Sequence, residues 1–167
     1  MTSIVEKIFR GNVGGAIATA PMSVVMAAGF RQLPAEQRYP LPPRQITSVM
    51  GKEIGYWDRL TERQKLLVTL IAHFSYGSTM GGIFNLIIPP DERNVGAGAT
   101  FGLGVWAGSY LALLPSLGIL RPADEHPMER TILMILAHVV WGGSLAVALT
   151  MIDDAIGLEG ENVNSQS

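Results

Sequence analysis

Four long apolar stretches, almost free of charge, alternate with polar connections along this chain of 167 residues. They cover about residues 11–30, 66–88, 95–114 and 130–151. Each is close to the roughly 20 residues that an α-helix needs to cross a hydrocarbon core. The pattern predicts an all-α integral membrane four-helix bundle, built from a single four-span domain over residues 1–152.

The only long polar connection lies between the first two spans, at residues 31–65. Ile46, Val49, Met50 and Ile54 recur there at helical spacing, after a proline-rich segment. This predicts a short amphipathic helix that lies on the membrane surface or caps one end of the bundle. The link at 91–94 is very short, which makes the second and third spans antiparallel neighbours.

Composition narrows the possible functions. The chain is 48% hydrophobic and 16% charged, has no cysteine, and carries a formal net charge of −2. Thiolate catalysis and cysteine-based metal sites are therefore excluded, and nothing favours a nucleic-acid partner. Residues 153–167 contain four acidic and no basic residues, which predicts a disordered acidic tail.

A short motif occurs twice. Ala72-His73-Phe74-Ser75-Tyr76-Gly77 returns 65 positions later as Ala137-His138-Val139-Val140-Trp141-Gly142. Both copies have the form A-H-x-x-aromatic-G and lie at similar positions in the second and fourth spans. These spans must run in the same direction, so the two histidines are expected at similar depth. The pattern suggests an internal repeat of one helix pair.

His73 and His138 are the candidate functional pair, because ionisable groups inside a membrane are rare and often functional. Ser75, Tyr76, Trp141 and Ser144 are candidate supporting residues. Three interpretations stay open. The histidines hold neighbouring helices together by hydrogen bonds, which we prefer; they line a proton or small-solute conduit; or they ligate a haem or metal, one from each helix.

Catalytic signatures are missing from the sequence. It contains no G-x-S-x-G, no H-E-x-x-H and no phosphate-binding loop. Asp124, Glu125 and His126 form a polar cluster that is best explained as a solvated loop. We therefore predict a protein that is not an enzyme, with no catalytic residues, no metal site and no required cofactor.

Glycines spaced four apart form bare faces on the spans, and such faces allow close helix approach in lipid. The surplus of these faces also favours association, so we expect contact with the lipid bilayer and with a membrane-protein partner or a second copy of the chain. The candidate packing glycines are Gly11, Gly15, Gly77, Gly81, Gly98, Gly102, Gly104, Gly108 and Gly142.

Basic residues predict the orientation. The connections at 31–65 and 115–130 carry seven and two Lys or Arg residues, whereas the amino terminus carries two, the 91–94 link one and the tail none. Because cytoplasmic loops are enriched in Lys and Arg, we expect a multi-pass protein with both of these connections in the cytoplasm and both termini outside.

Several segments resemble a known family. They are Ala-Thr-Ala-Pro-Met (18–22), Arg-Tyr-Pro-Leu-Pro-Pro-Arg (38–44), Ala-His-Phe-Ser-Tyr-Gly (72–77), Phe-Gly-Leu-Gly-Val-Trp (101–106), Leu-Pro-Ser-Leu-Gly-Ile (114–119) and Ala-His-Val-Val-Trp-Gly (137–142). Together they resemble the YagU-like family of small bacterial inner-membrane proteins, over nearly the whole chain except the tail.

The resemblance implies a bacterial inner-membrane location, and a link to acid or membrane stress, but it supplies no catalytic residues. The sequence as a whole predicts a non-enzymatic accessory protein or complex-associated subunit.

Overall fold

All regular secondary structure is helical in the part of the chain that the computed structural model describes, residues 3–120 and 125–164, with side chains described as far as residue 157. The helices are α1 (Ile4–Gln32), α2 (Pro42–Glu53), α3 (Glu62–Ile87), α4 (Val95–Ala107), α5 (Leu114–Ser116) and α6 (Met128–Asn164), and a π-helical segment, Gly108–Leu113, joins α4 to α5. Single 3₁₀ turns lie at Ala35–Gln37, Trp57–Arg59 and Pro90–Glu92.

Four of these helical stretches are long and apolar enough to cross a membrane: Ile4–Gln32, Glu62–Ile87, Val95–Ser116 and Met128–Gly157. The predicted all-α bundle is therefore confirmed.

The helix starts follow from local sequence. The Ser3 hydroxyl accepts from the Glu6 amide, Thr61 and Gln64 form a reciprocal capping box, and the Asn94 side chain accepts from the Ala97 amide.

The helices pack in the order α3, α1, α6, α4. The main contacts are those of α1 with α3, α1 with α6, and α4 with α6. Gly11 lies against Gly81 and Gly15 against Gly77, so α1 and α3 are antiparallel. The same relation holds for α4 and α6, where Gly98 and Gly102 lie against Gly142 and His138. Gly14 of α1 lies against Leu149 of α6 and Gly29 against Leu133, so α1 and α6 are also antiparallel. Consequently α3 and α6 run in the same direction.

Seven of the nine candidate packing glycines lie at these helix contacts. An ideal Cβ on any of them would come closer than 3.0 Å to an atom of the neighbouring helix, a separation that real Cβ atoms essentially never show. Gly104 and Gly108 are different, because a Cβ there would meet nothing within 4 Å. Gly104 and Gly108 therefore take no part in packing within the bundle, since both are exposed on its outside, and their use in association with a partner stays a prediction.

The carboxyl-terminal segment also differs from expectation. Residues 153–164, predicted to be disordered, continue α6 to Asn164. Asp153 accepts from Arg10 at 3.0 Å and from Arg93 at 2.8 Å, which ties α6 to α1 and to the link between α3 and α4. Residues 165–167 of the predicted tail, and Arg121 and Asp124 of the 115–130 connection, lie outside the described residues.

Candidate functional site

A cavity of about 350 Å³ lies among α1, α3, α4 and α6, in the half of the bundle that is nearer the 31–65 connection. Helix α2 covers its end with Pro42, Ile46 and Thr47. Both histidines of the repeated motif line this cavity, His73 from α3 and His138 from α6. The structure therefore brings the candidate pair to one shared space.

His138 has a defined hydrogen-bond role. Its Nδ1 lies 2.7 Å from the carbonyl oxygen of Met134, one turn earlier in the same helix. A carbonyl oxygen only accepts hydrogen bonds, so Nδ1 carries the proton, and Nε2 of the neutral imidazole is left as an acceptor. The ring also meets Tyr110 edge to face, with the ring centroids 6.5 Å apart.

His73 lies half-buried on α3 and makes no side-chain hydrogen bond to another helix in the described part of the chain. Its Nε2 is buried there without a partner. The ring instead contacts its neighbour Phe74 edge to face, at 6.3 Å between centroids. Leaving a buried polar atom unpaired costs free energy, so this nitrogen is open to a hydrogen bond from a water or from a bound molecule in the cavity.

The π-helical segment places two further polar side chains at the cavity. Ser109 and Tyr110 are buried there, and the Ser109 hydroxyl lies 2.8 Å from the Tyr76 hydroxyl of α3. Tyr110 stacks on Trp106, at 6.0 Å between centroids. Single-turn π-helices inside longer helices are frequent at functional sites, because they change the direction of a few side chains.

Most of the remaining cavity wall is apolar. Met22, Met26, Met80 and Met134 line it together with aliphatic residues of α2 and α5, and none of the described residues around it is Asp, Glu, Lys or Arg. Methionine side chains are flexible and adapt to irregular shapes. Trp141 closes the inner wall, and its Nε1 donates to the Gly15 carbonyl at 3.4 Å.

The cavity reaches the outside of the bundle between α3 and the end of α4. The lining residues Met50, Tyr76, Leu113 and Leu117 are 57%, 41%, 49% and 61% exposed. Here α3 and residues 95–113 are joined by side chains, through the Tyr76–Ser109 hydrogen bond and the Phe84–Phe101 ring contact, with centroids 5.1 Å apart. We call this boundary the α3–α4 seam.

The other half of the bundle is closely packed. The glycine contacts of α1 with α3 and of α4 with α6 bring backbones together there. Phe84, Leu145 and Leu149 are almost fully buried in the same half. The cavity is therefore open on one side and closed by packed side chains toward the end that carries Arg10, Arg93 and Asp153.

The segment that covers the cavity is fixed by Arg130, which is only 5% exposed. Its guanidinium donates to the carbonyl oxygens of Gln37 at 2.6 Å, Tyr39 at 3.0 Å and Pro40 at 3.1 Å. It also stacks on the Tyr39 ring, 3.6 Å from the centroid. The first turn of α6 thus holds the connection that leads into α2.

The predicted supporting residues divide into two groups. Tyr76 and Trp141 line the cavity. Ser75 is exposed on the outer face of α3, and Ser144 is half-buried on α6 away from the cavity, so neither belongs to the site. The sequence does not identify Tyr110 and Ser109 as site residues, because their position at the cavity depends on a π-helical turn that no sequence pattern predicts.

No protein family, curated protein or solved structure matches this chain. The resemblance to the YagU-like family therefore stays a prediction. Within the described residues no group of three or more His, Asp or Glu side chains is placed to hold a metal ion.

Proposed function

We propose that this small integral membrane protein is a non-enzymatic binding protein that holds one lipid-soluble small molecule inside the bilayer. The supporting observation is that His73 and His138, from two separate helices, line one cavity whose remaining wall is mainly apolar. Small-molecule sites in proteins combine an apolar wall with a few placed polar groups, in volumes from about 300 Å³ upward.

The geometry fits this role better than a purely structural one. Histidines that fasten helices together donate or accept across a helix interface. His138 instead bonds to a carbonyl of its own helix, and the buried Nε2 of His73 has no partner among the described residues. Both side chains are therefore available to a bound molecule.

It also fits better than a conduit for protons or solutes. A conduit needs polar groups or an opening along the whole path across the bilayer. The cavity lies in one half, and close glycine contacts and buried apolar side chains fill the other. A molecule that enters the cavity meets a closed end.

Several sequence-based expectations accompany the proposal. Four of them rest on sequence alone: the bacterial inner membrane as location, the link to acid or membrane stress, the internal repeat, and a role as accessory subunit of a larger complex or homo-oligomer. Binding of a small molecule is compatible with each of them.

The test is native mass spectrometry of the detergent-purified protein, with two matched variants of α4. Val105 lines the cavity, whereas Leu103 is 38% exposed and lies outside it. Wild type and Leu103→Phe should carry one additional mass per chain, and Val105→Phe, which fills the cavity, should lose it.

An additional mass that is absent from wild type, or equal in all three proteins, would overturn the proposal. An absorbance spectrum is recorded on the same samples. A visible band that is present in wild type and absent from His73→Ala/His138→Ala would show that the bound molecule is a haem.

A further inference from the structure

We infer that the molecule bound in this cavity is a prenylated quinol, which enters from the bilayer through the α3–α4 seam. The inference rests on the proposed function and specifies its ligand. It depends on four features of the cavity: the hydrogen-bond role of His138, the second histidine on another helix, the absence of charge from the described wall, and the side on which the cavity opens.

The first feature defines the group that contacts α6. Because Nδ1 of His138 donates to the Met134 carbonyl, its Nε2 accepts a hydrogen bond from the ligand. A hydroxyl meets this requirement and a carbonyl oxygen does not. The reduced, hydroxyl-bearing form of a quinone is therefore favoured over the oxidised form.

The second feature favours a ligand with more than one polar atom. His73 and His138 lie on α3 and α6, and both of these helices pack against α1. A molecule with a single hydroxyl, such as an isoprenoid alcohol, must serve both histidines from one oxygen atom. A quinol carries hydroxyls on opposite edges of a flat ring, and it offers one to each histidine.

The third feature excludes charged head groups. No Lys or Arg lies among the described residues of the cavity wall, so a fatty-acid carboxylate or a phosphate would be buried without a counter-ion. A quinol ring is neutral. The rings of Trp141 and Tyr110 and the methionines of the wall provide surfaces for a flat aromatic head.

The fourth feature locates the tail. Met50, Tyr76, Leu113 and Leu117 surround the side of the cavity that is exposed at the seam. Tyr76 and Leu113 lie within the apolar stretches Glu62–Ile87 and Val95–Ser116, whereas Met50 and Leu117 lie beyond them at the end that carries α2. The seam therefore opens toward lipid near this end of the bundle. An isoprenoid chain attached to the ring leaves the cavity there and remains in hydrocarbon.

The test measures binding of decyl-ubiquinol to the full chain in nanodiscs of quinone-free lipid. Fluorescence of Trp141 is followed in a Trp57→Phe/Trp106→Phe background, because quinols near an indole quench its emission. Decyl-ubiquinone and farnesol are the comparison probes. Farnesol is measured by competition, since it does not itself quench.

We expect saturable quenching at one decyl-ubiquinol per chain. One hydrogen bond distinguishes the reduced from the oxidised probe, so decyl-ubiquinone should bind about tenfold more weakly. Farnesol lacks the flat ring that the wall contacts, so it should bind at least as weakly. His138→Ala should remove the preference for the reduced form, Val105→Phe should abolish saturable quenching, and Leu103→Phe should leave it unchanged.

Non-saturable quenching, or equal affinity for farnesol, would overturn the inference. The two proposals fail separately. If the native spectrum shows a bound mass that is neither a quinol nor a quinone, the proposed binding function stands and only the quinol inference is overturned. If there is no bound mass and no saturable quenching, both the binding function and the quinol inference are overturned.

Discussion

Among single residues, the glycines at the helix contacts set the spacing of the bundle. Gly142 lies so close to the backbone of Gly98 that a Cβ would overlap its carbonyl oxygen. Gly104 lies on α4 in open space. The same chemical change, glycine to alanine, should therefore have opposite effects at the two positions.

Gly142→Ala should force α4 and α6 apart and destabilise the protein by about 1–3 kcal/mol, the usual cost of overpacking. Gly104→Ala should be neutral or stabilising by about 0.4–1 kcal/mol, because it removes backbone freedom from the unfolded chain. Thermal unfolding in detergent measures both. Equal effects of the two variants would contradict the role of close helix approach.

The Tyr76–Ser109 hydrogen bond is a second single-residue interaction whose loss should have a measurable effect. It joins α3 to the π-helical segment where the cavity is exposed. Tyr76→Phe should speed release of the bound molecule by about two- to tenfold, since one neutral hydrogen bond contributes about 0.5–1.5 kcal/mol. The release rate is measured by exchange of decyl-ubiquinol in nanodiscs.

Ser109→Ala should have the same effect, and the double variant should add nothing, because both changes remove one bond. Thr79→Val is the control. Thr79 is exposed on the same helix and its hydroxyl donates only to the Ser75 carbonyl among its described partners. Additive effects of the first two changes would show that the bond does not hold the seam closed.

Among the helices and their connections, α2 depends on an anchor outside itself. It packs on α3, where the Thr47 and Thr69 hydroxyls are 3.0 Å apart, but the chain that leads into it is held by Arg130 of α6. Hydrogen bonds from a charged donor contribute more than neutral ones, about 1.5–3 kcal/mol each.

Arg130→Ala should therefore release the 31–65 connection and expose its Lys and Arg residues to trypsin. We expect cleavage in this segment to be about tenfold faster, and the protein to lose about 3 kcal/mol of stability. Glu92→Ala, which changes an exposed residue outside the 31–65 connection, should alter neither. Full protection by Arg130→Lys would show that charge alone, without the planar fork of donors, fixes the connection.

The end of α6 has a comparable anchor at the opposite side of the bundle. Asp153 pairs with Arg10 and Arg93, and Arg10 also pairs with Glu6. The Arg93 side chain is 7% exposed. Asp153→Asn leaves two cations without their shared carboxylate, whereas Asp154→Asn changes an exposed neighbour outside this cluster.

We expect Asp153→Asn to cost about 1–3 kcal/mol, a value reduced for the partial exposure of the carboxylate, and Asp154→Asn to cost nothing measurable. Chemical unfolding in detergent, followed by tryptophan fluorescence, compares the two. Equal stability of both variants would mean that helical packing alone extends α6 beyond the predicted boundary at residue 152.

For the molecule as a whole, composition and periodicity were sufficient to predict the helices, because a bilayer requires long apolar segments and the starts are marked by capping residues such as Thr61. The repeated motif also singled out His73 and His138, which both line the cavity, and their functional role stays a prediction. The cavity was not predictable, since it arises from the π-helical turn at Ser109 and Tyr110 and from the gap between α3 and α4. The sequence places Asp153 in a disordered acidic tail, because its partners Arg10 and Arg93 are distant in sequence.

The orientation in the membrane is the remaining property that the sequence predicts. At the end of the bundle that carries α2, two cations lie over an aromatic ring. Cζ of Arg44 and Nζ of Lys65 are 5.0 Å and 5.8 Å from the centroid of the Trp57 ring. Aromatic and basic residues are typical of a membrane interface, and an excess of Lys and Arg marks the cytoplasmic side. We therefore expect the 31–65 connection inside and the termini outside.

The chain has no native cysteine, so single cysteines report the orientation directly. Ser3→Cys and Asp91→Cys should react with a membrane-impermeant maleimide in intact cells, and Glu36→Cys only after the membrane is opened. All three positions are exposed, so a difference in labelling reflects the side of the membrane rather than burial. The reverse pattern would place α2 outside, and Arg44 and Lys65 beside Trp57 would then lie on the side away from the cytoplasm.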